Sequence, residues 1–185
     1  RFNYNGAGAD ELVIDSSGNV GIGAVPVGYS SVLSALQLGG NANIAAESAT
    51  GASQFLHISQ NANFDTDSSW EYISTDEATS YYQNSGTHVW RYAASGSAGN
   101  DISWSEAMRL DASGNLLVGR TSTTDSNVGG MIRPDGFVQS TRDGNIAADF
   151  NRKSSDGDIV RFSKDSSPVG SIGTTNGGDL YIGND

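Results

Sequence analysis

Apolar and polar side chains alternate along much of this chain with a period of two, and a helical period is hard to find. Trp70 and Tyr72 flank Glu71, Trp90 and Tyr92 flank Arg91, and Ile146, Ala148 and Phe150 are interleaved with Ala147 and Asp149. Each pattern suits a strand with one face in a core and the other in water. Turn signals fall between such runs, at Ser85-Gly86, Ser95-Gly96, Asp135-Gly136, Asp143-Gly144, Asp156-Gly157 and Asn176-Gly177-Gly178. The pattern predicts an all-β chain of short strands.

One phrase occurs twice, from Glu11 to Gly23 and from Ala107 to Gly119, and each copy reads apolar strand, Asp-x-Ser-Gly-Asn turn, apolar strand. Asp15 and Asp111 can bond to the backbone two residues on, while Gly18 with Asn19, and Gly114 with Asn115, tolerate positive φ. Each copy is therefore expected to be a β-hairpin, with Gly18 and Gly114 serving the turn and not a ligand. Asp15 and Asp111 are 96 residues apart, beyond the roughly 20 to 50 residues of a solenoid repeat, so the phrase is read as a joint between modules. The chain divides on this reading into a first joint at about 1–28, a module at 29–106, a second joint at 107–120 and a shaft-like segment at 121–185. The middle module holds Phe55, Phe64, Trp70, Tyr72, Tyr81, Tyr82, Trp90, Tyr92 and Trp104, and its short strands suggest a small β-sandwich.

Composition changes that picture in one respect. Leu, Ile, Val and Phe together make up about one residue in five, a level at which a chain begins to look disordered. The 3 Trp, 7 Tyr and 6 Phe, the 3 Pro and the repeated strand patterns argue otherwise. An oligomer that pools small apolar faces reconciles the two. The net charge of −11 disfavours nucleic acid, which needs a basic footprint, and disfavours an anionic membrane. Residues 16–46 lack charge, yet Ser, Gly, Asn, Gln37 and Pro26 interrupt them too often for a spanning segment. Residues 51–106 carry seven acids against the single base Arg91, whereas residues 107–185 carry eight bases and ten acids. The start at Arg1-Phe2-Asn3-Tyr4 and the stop at Asp185 in mid-pattern suggest a piece of a longer chain, truncated at the C-terminal end.

The run from Arg109 to Gly119, and its relative at Val13 to Gly23, resemble the R-L/I-D-S-S-G-N-V-G-I-G phrase of tail fibres and tailspikes of tailed bacteriophages. Gly136 to Ser140, Phe150 to Gly157 and Asp179 to Gly183 also resemble the distal region of such fibres, particularly in phages of aquatic bacteria. The resemblance implies an intertwined homotrimeric β-fibre on the virion, joined to other tail or baseplate proteins and binding a host surface polysaccharide or protein. Some relatives are depolymerases, and many end in an intramolecular chaperone, which nothing in this chain matches. A bacterial surface or secreted fibre is the reading outside virology.

Candidate chemistry is sparse. The Asp-x-Ser-Gly-Asn phrase offers oxygens at Asp15, Ser17 and Asn19, but Val20 and Pro26 stand where a calcium loop needs Gly and a bidentate acid, so no metal or other cofactor is expected. No Cys and no Gly-x-Ser-x-Gly elbow is present, His57 and His88 fall on apparent strands, and no catalytic residue is assigned. Asp65, Asp67, Glu71, Asp76 and Glu77 could in principle supply paired carboxylates, but acids this dense suit a solvated face. Trp70, Trp90 and Trp104 are expected to close the core, each burying on the order of 200 Å². Adjacent strand residues point to opposite faces, so one of Tyr81 and Tyr82 should face outward. Tyr81, Tyr82 and Trp70 are the receptor-binding candidates, because aromatic faces stack on sugar rings. Arg142, Arg152, Lys153, Arg161 and Lys164 are interleaved with acids and are expected to pair between strands or chains.

Overall fold

The computed structural model describes residues 12–51 and 54–183; Glu11, residues 1–10 of the first joint and Asp185 lie outside them. The described residues are all-β. The strands are β1 (Leu12–Ile14), β2 (Val20–Ile22), β3 (Leu33–Leu38), β4 (Ala42–Glu47), β5 (Phe55–Gln60), β6 (Ala62–Phe64), β7 (Trp70–Tyr72) and β8 (Asp76–Asn84). There follow β9 (Thr87–Gly96), β10 (Ser105–Leu110), β11 (Leu116–Val118), β12 (Gly129–Ile132), β13 (Val138–Thr141), β14 (Gly157–Lys164), β15 (Ser167–Thr175) and β16 (Asp179–Gly183).

Two compact units divide the chain, Arg1–Thr141 and Arg142–Asp185. In the first, one 11-stranded sheet runs in the order β1-β2-β3-β4-β5-β8-β9-β10-β11-β12-β13, so it passes without interruption through positions 28, 106 and 120. Neighbours are antiparallel except β2 and β3, which are parallel. Between β5 and β8 the chain leaves this sheet to build the hairpin β6–β7. In the second unit β14, β15 and β16 form an antiparallel sheet.

Local chemistry explains the turns. Among the described residues a single five-residue geometry occurs four times, at Asp15–Asn19, Asp65–Ser69, Asp111–Asn115 and Arg133–Phe137. In each, the first N–H donates to the fifth carbonyl at 2.9 to 3.0 Å and the fourth N–H to the first carbonyl at 2.9 to 3.3 Å. The fourth residue is at positive φ: Gly18 at 87°, Ser68 at 72°, Gly114 at 83° and Gly136 at 87°. In the first three the opening Asp caps the turn, its Oδ1 accepting from the N–H groups two and four residues on. Burial works to raise the pKa of Asp15 and Asp111, but the bonds from Asn19 and Ser17, and from Asn115 and Ser113, outweigh it and hold both carboxyls low.

The strand expected over Ile146–Phe150 does not form: residues 142–156 belong to no sheet, and Ile146 and Phe150 are both exposed. Alternation supplies two faces, but a strand also needs a neighbour for its N–H and C=O groups, and the chain brings none here.

Candidate functional site

Register sorts the side chains of the large sheet onto two faces, because directly paired residues point the same way. One row runs Gly21–Gln37–Asn43–Ser59–Ser80–Arg91, with Ala35–Ala45–His57–Tyr82–Val89 beside it. This face is covered. Segment 23–32, hairpin β6–β7 and segment 97–104 lie over it, in two apolar clusters centred on Tyr29, Leu33, Ala35 and Ala45 and on Ala62, Tyr72, Ala78, Ala93 and Ile102.

Loops and a short hairpin do the covering, and their unpaired backbone groups need partners. Buried amides supply them. Gln37 Oε1 accepts from Val27 N–H at 2.8 Å, and its Nε2 donates to the carbonyls of Gly39 and Gly40. Asn43 Nδ2 donates to Ala62 O at 2.5 Å, and Asn19 Oδ1 accepts from Ala35 N–H at 3.0 Å. Asn61, fully buried where the chain leaves the sheet, donates to the carbonyls of Ser74 (2.9 Å) and Glu77 (3.0 Å) and accepts from the N–H (2.7 Å) and Oγ (2.8 Å) of Ser74.

Within the covered face Arg91 sits among rings, its guanidinium carbon 4.2 Å from the Trp104 centroid and 4.9 Å from those of Trp70 and Tyr82. Its Nη2 donates to His57 Nδ1 at 3.4 Å, and its buried Nε makes no hydrogen bond. Burial, and then the Arg91 charge, hold the His57 pKa down to about 3. Burial likewise lowers Arg91 to about 10. Neutral His57 is thus the form that accepts the hydrogen bond from Arg91.

The opposite face has a different chemistry. Ile14, Val20, Leu36, Ile44, Ile58, Tyr81, Trp90, Met108 and Val118 follow one another across nine strands. Flanking rows run from Leu12 through Leu38 to Tyr92 and from Ser34 through Leu56 to Val138. No Asp, Glu, Lys or Arg occurs in the three rows. This face is bare: Ile14 is 59 %, Ile58 47 %, Tyr92 52 % and Val118 47 % exposed. At its middle the Tyr81 and Trp90 rings lie 5.0 Å apart, and Tyr81 Oη bonds His88 Nδ1 at 2.5 Å. A shallow groove there is lined by Ile58, Gln60, Thr79, Tyr81, Trp90 and Tyr92.

The receptor-binding candidates are therefore split. Trp70 and Tyr82 meet around Arg91 on the covered face, each half-buried, and Tyr81 stands on the bare face. Trp70 and Trp104 pack against the core as expected, their rings 6.2 Å apart. Trp90 corrects the expectation: it is exposed, because its partner row Tyr81–Trp90–Met108 faces away from β6–β7. Of the five acids considered for paired chemistry, Asp65, Asp67 and Glu71 bring carboxylate oxygens within 4.8 Å of one another. The turn at Asp65–Ser69 does this. The side-chain hydrogen bond with Asp67 raises the Asp65 pKa and lowers that of Asp67, while desolvation and then the neighbouring Asp65, Asp67 and Asp101 charges raise Glu71.

In the second unit Arg152 is taken up by carbonyl oxygens of Ser155 (2.9 Å) and Asp158 (3.2 Å), and Asp158 accepts from Tyr181 Oη. That bond, followed by one from Ser171, keeps the Asp158 carboxyl below its ordinary range. Among the described residues no helix is long and apolar enough to cross a membrane. Protein-family models, curated proteins and solved structures were compared with the chain, and none matches it.

Proposed function

We propose that the chain is a structural and adhesive segment of a phage tail fibre, three copies to a fibre, carried on the virion by other tail or baseplate proteins. It spaces or presents weak contacts to a host surface polysaccharide or protein. Attachment then gains from multivalency: several copies per fibre and several fibres per virion raise the effective concentration of each contact without any strong single site. No catalytic step belongs to this proposal.

The observation that carries it is the fourfold recurrence of one turn. Three of these turns join neighbouring strands of the large sheet and the fourth joins β6 to β7; a sheet extended by repeating one connection lengthens in one direction, which suits a protein whose work is reach and display. The phrase that builds two of those turns is also the one that resembles tail fibres.

The test is adsorption. Purified full-length protein should compete with virions for host cells, and antibody against it should label the tail. Failure of both would end the fibre reading. New reducing ends on incubation with host polysaccharide would replace the adhesive role with a depolymerase.

A further inference from the structure

We propose that the uncharged sheet face is the surface on which copies of this chain pack against one another, with Ile44, Ile58, Tyr81 and Trp90 at its centre. This rests on the trimeric reading above and names the surface that makes the oligomer.

Charge selects the occupant. The chain holds 21 acids and 10 bases for a net charge of −11, and all of them lie outside the three rows. A second copy carries the same excess of acid, densest over residues 51–106 with seven acids against Arg91, and like charge repels there. The neutral rows let two copies meet without setting acidic side chains directly against one another. A glycan would stack on Tyr81, Trp90 and Tyr92, but it also needs a dense set of donors and acceptors, and the side chains at the centre of this face offer mainly Thr79, Gln60 and the bonded Tyr81–His88 pair.

Size agrees. Nine strands about 4.8 Å apart and three rows about 6.8 Å apart make a lattice of roughly 40 Å by 14 Å before side-chain rims are added. That is roughly 560 Å², at the upper end of the largest patch a soluble monomer leaves in water, and side-chain rims bring it toward the roughly 800 Å² per partner of a stable interface. The chain has not kept its best apolar surface for its own interior either, since Gln37, Asn43, Asn61 and His57 are buried on the covered face while Ile14, Ile58 and Trp90 are exposed. Packed rows would also withdraw Tyr81 from any receptor.

The chain has no cysteine, so one introduced thiol reports on one position. Ile58→Cys on the bare face and Ser113→Cys on an exposed turn are made separately in the full-length protein, with mass read by light scattering and maleimide labelling timed under native conditions. A three-chain mass with Ile58→Cys labelled at least about tenfold more slowly than Ser113→Cys is expected. Equal labelling rates at a three-chain mass would overturn the inference and leave the trimer standing. Slow labelling at a one-chain mass would mean that another segment of the same chain covers the face, and would also overturn it. A one-chain mass with fast labelling would overturn the trimer itself. As a second variant, Ile58→Glu with Trp90→Glu should lower the mass while the strand signature in circular dichroism persists; an unchanged mass counts against the inference.

Discussion

The two faces of the large sheet are made by the same strands from alternating residues, yet they are built on opposite rules. On the covered face the fully buried large side chains include Gln37, Asn19, Asn43 and Asn61 alongside Leu117 and Val89. On the bare face Ile, Leu, Val, Tyr and Trp meet water. Polarity alone therefore does not decide burial here. What covers a face decides it: loops bring unpaired N–H and C=O groups that amides can satisfy, whereas an aliphatic row is satisfied only by another apolar surface. The covered face accordingly belongs to the stability of the single chain, and the bare face is the one proposed for association.

Changes on the covered face should be the most costly. Asn61→Leu removes two donations and two acceptances at the exit to β6–β7, taking from Ser74 and Glu77 the bonds that tie them to the fully buried Asn61. A loss of about 3 to 5 kcal/mol is expected in urea unfolding, with Trp70 and Trp104 fluorescence shifting toward that of exposed indole. A loss under 1 kcal/mol would show that the cover is held by apolar contact instead.

Acid should act on the same face. His57 titrates near 3 when folded against an ordinary 6.5. Between those values the unfolded chain takes up a proton that the folded chain refuses, so this contribution is complete above about pH 6.5 and falls by about 1.4 kcal/mol per pH unit as the pH drops toward 3. His57→Gln should flatten the fall in urea midpoint between pH 7 and pH 5; an unchanged slope would place the acid sensitivity elsewhere.

The turns belong to neither face and give a reference between the extremes. Gly114→Ala should cost about 1 kcal/mol or more in thermal unfolding, and Gly18→Ala somewhat less. Both glycines are at positive φ, but a Cβ at Gly114 would stand 3.0 Å from Pro134 Cγ, while at Gly18 it meets nothing within 4 Å. The reverse order would mean that Pro134 yields freely.

The smallest effect on the single chain is expected from the bare face. Ile44→Thr should change the unfolding free energy of dilute, unassembled chain in urea by no more than about 0.5 kcal/mol, since surface changes away from special features are nearly neutral. A loss of 2 kcal/mol there would show that the two faces do not differ in the way argued.

Much of the strand pattern was legible along the chain, because a period of two and an Asp-x-Ser-Gly-Asn turn are local signals. The alternation at Trp70–Tyr72 and Trp90–Tyr92 falls in β7 and β9, and both copies of the phrase close hairpins. Two turns were harder to see. Ser68 holds at φ 72° the place that Gly holds in the repeated phrase, and Asp165-Ser166 turns β14 into β15 at φ 49° and 66° without any glycine. Non-glycine residues at positive φ leave no mark in composition. The convergence of Asp65, Asp67 and Glu71 follows from the first of these turns and was hidden with it.

Sequence by itself determined that the strands have two faces and where many of them end, since side-chain alternation and turn chemistry act over a few residues. It could not determine which face is covered. Nothing local marks Gln37, Asn43 and Asn61 as buried; Val27, Ala62 and Ser74 are brought to them from 10, 19 and 13 residues away. Nor did the alternation at Ile146–Phe150 reveal that it lacks a neighbouring strand. Only the tertiary structure decided these points, because a polar group is buried at low cost only where the fold delivers its partner, and a strand exists only where the fold delivers another.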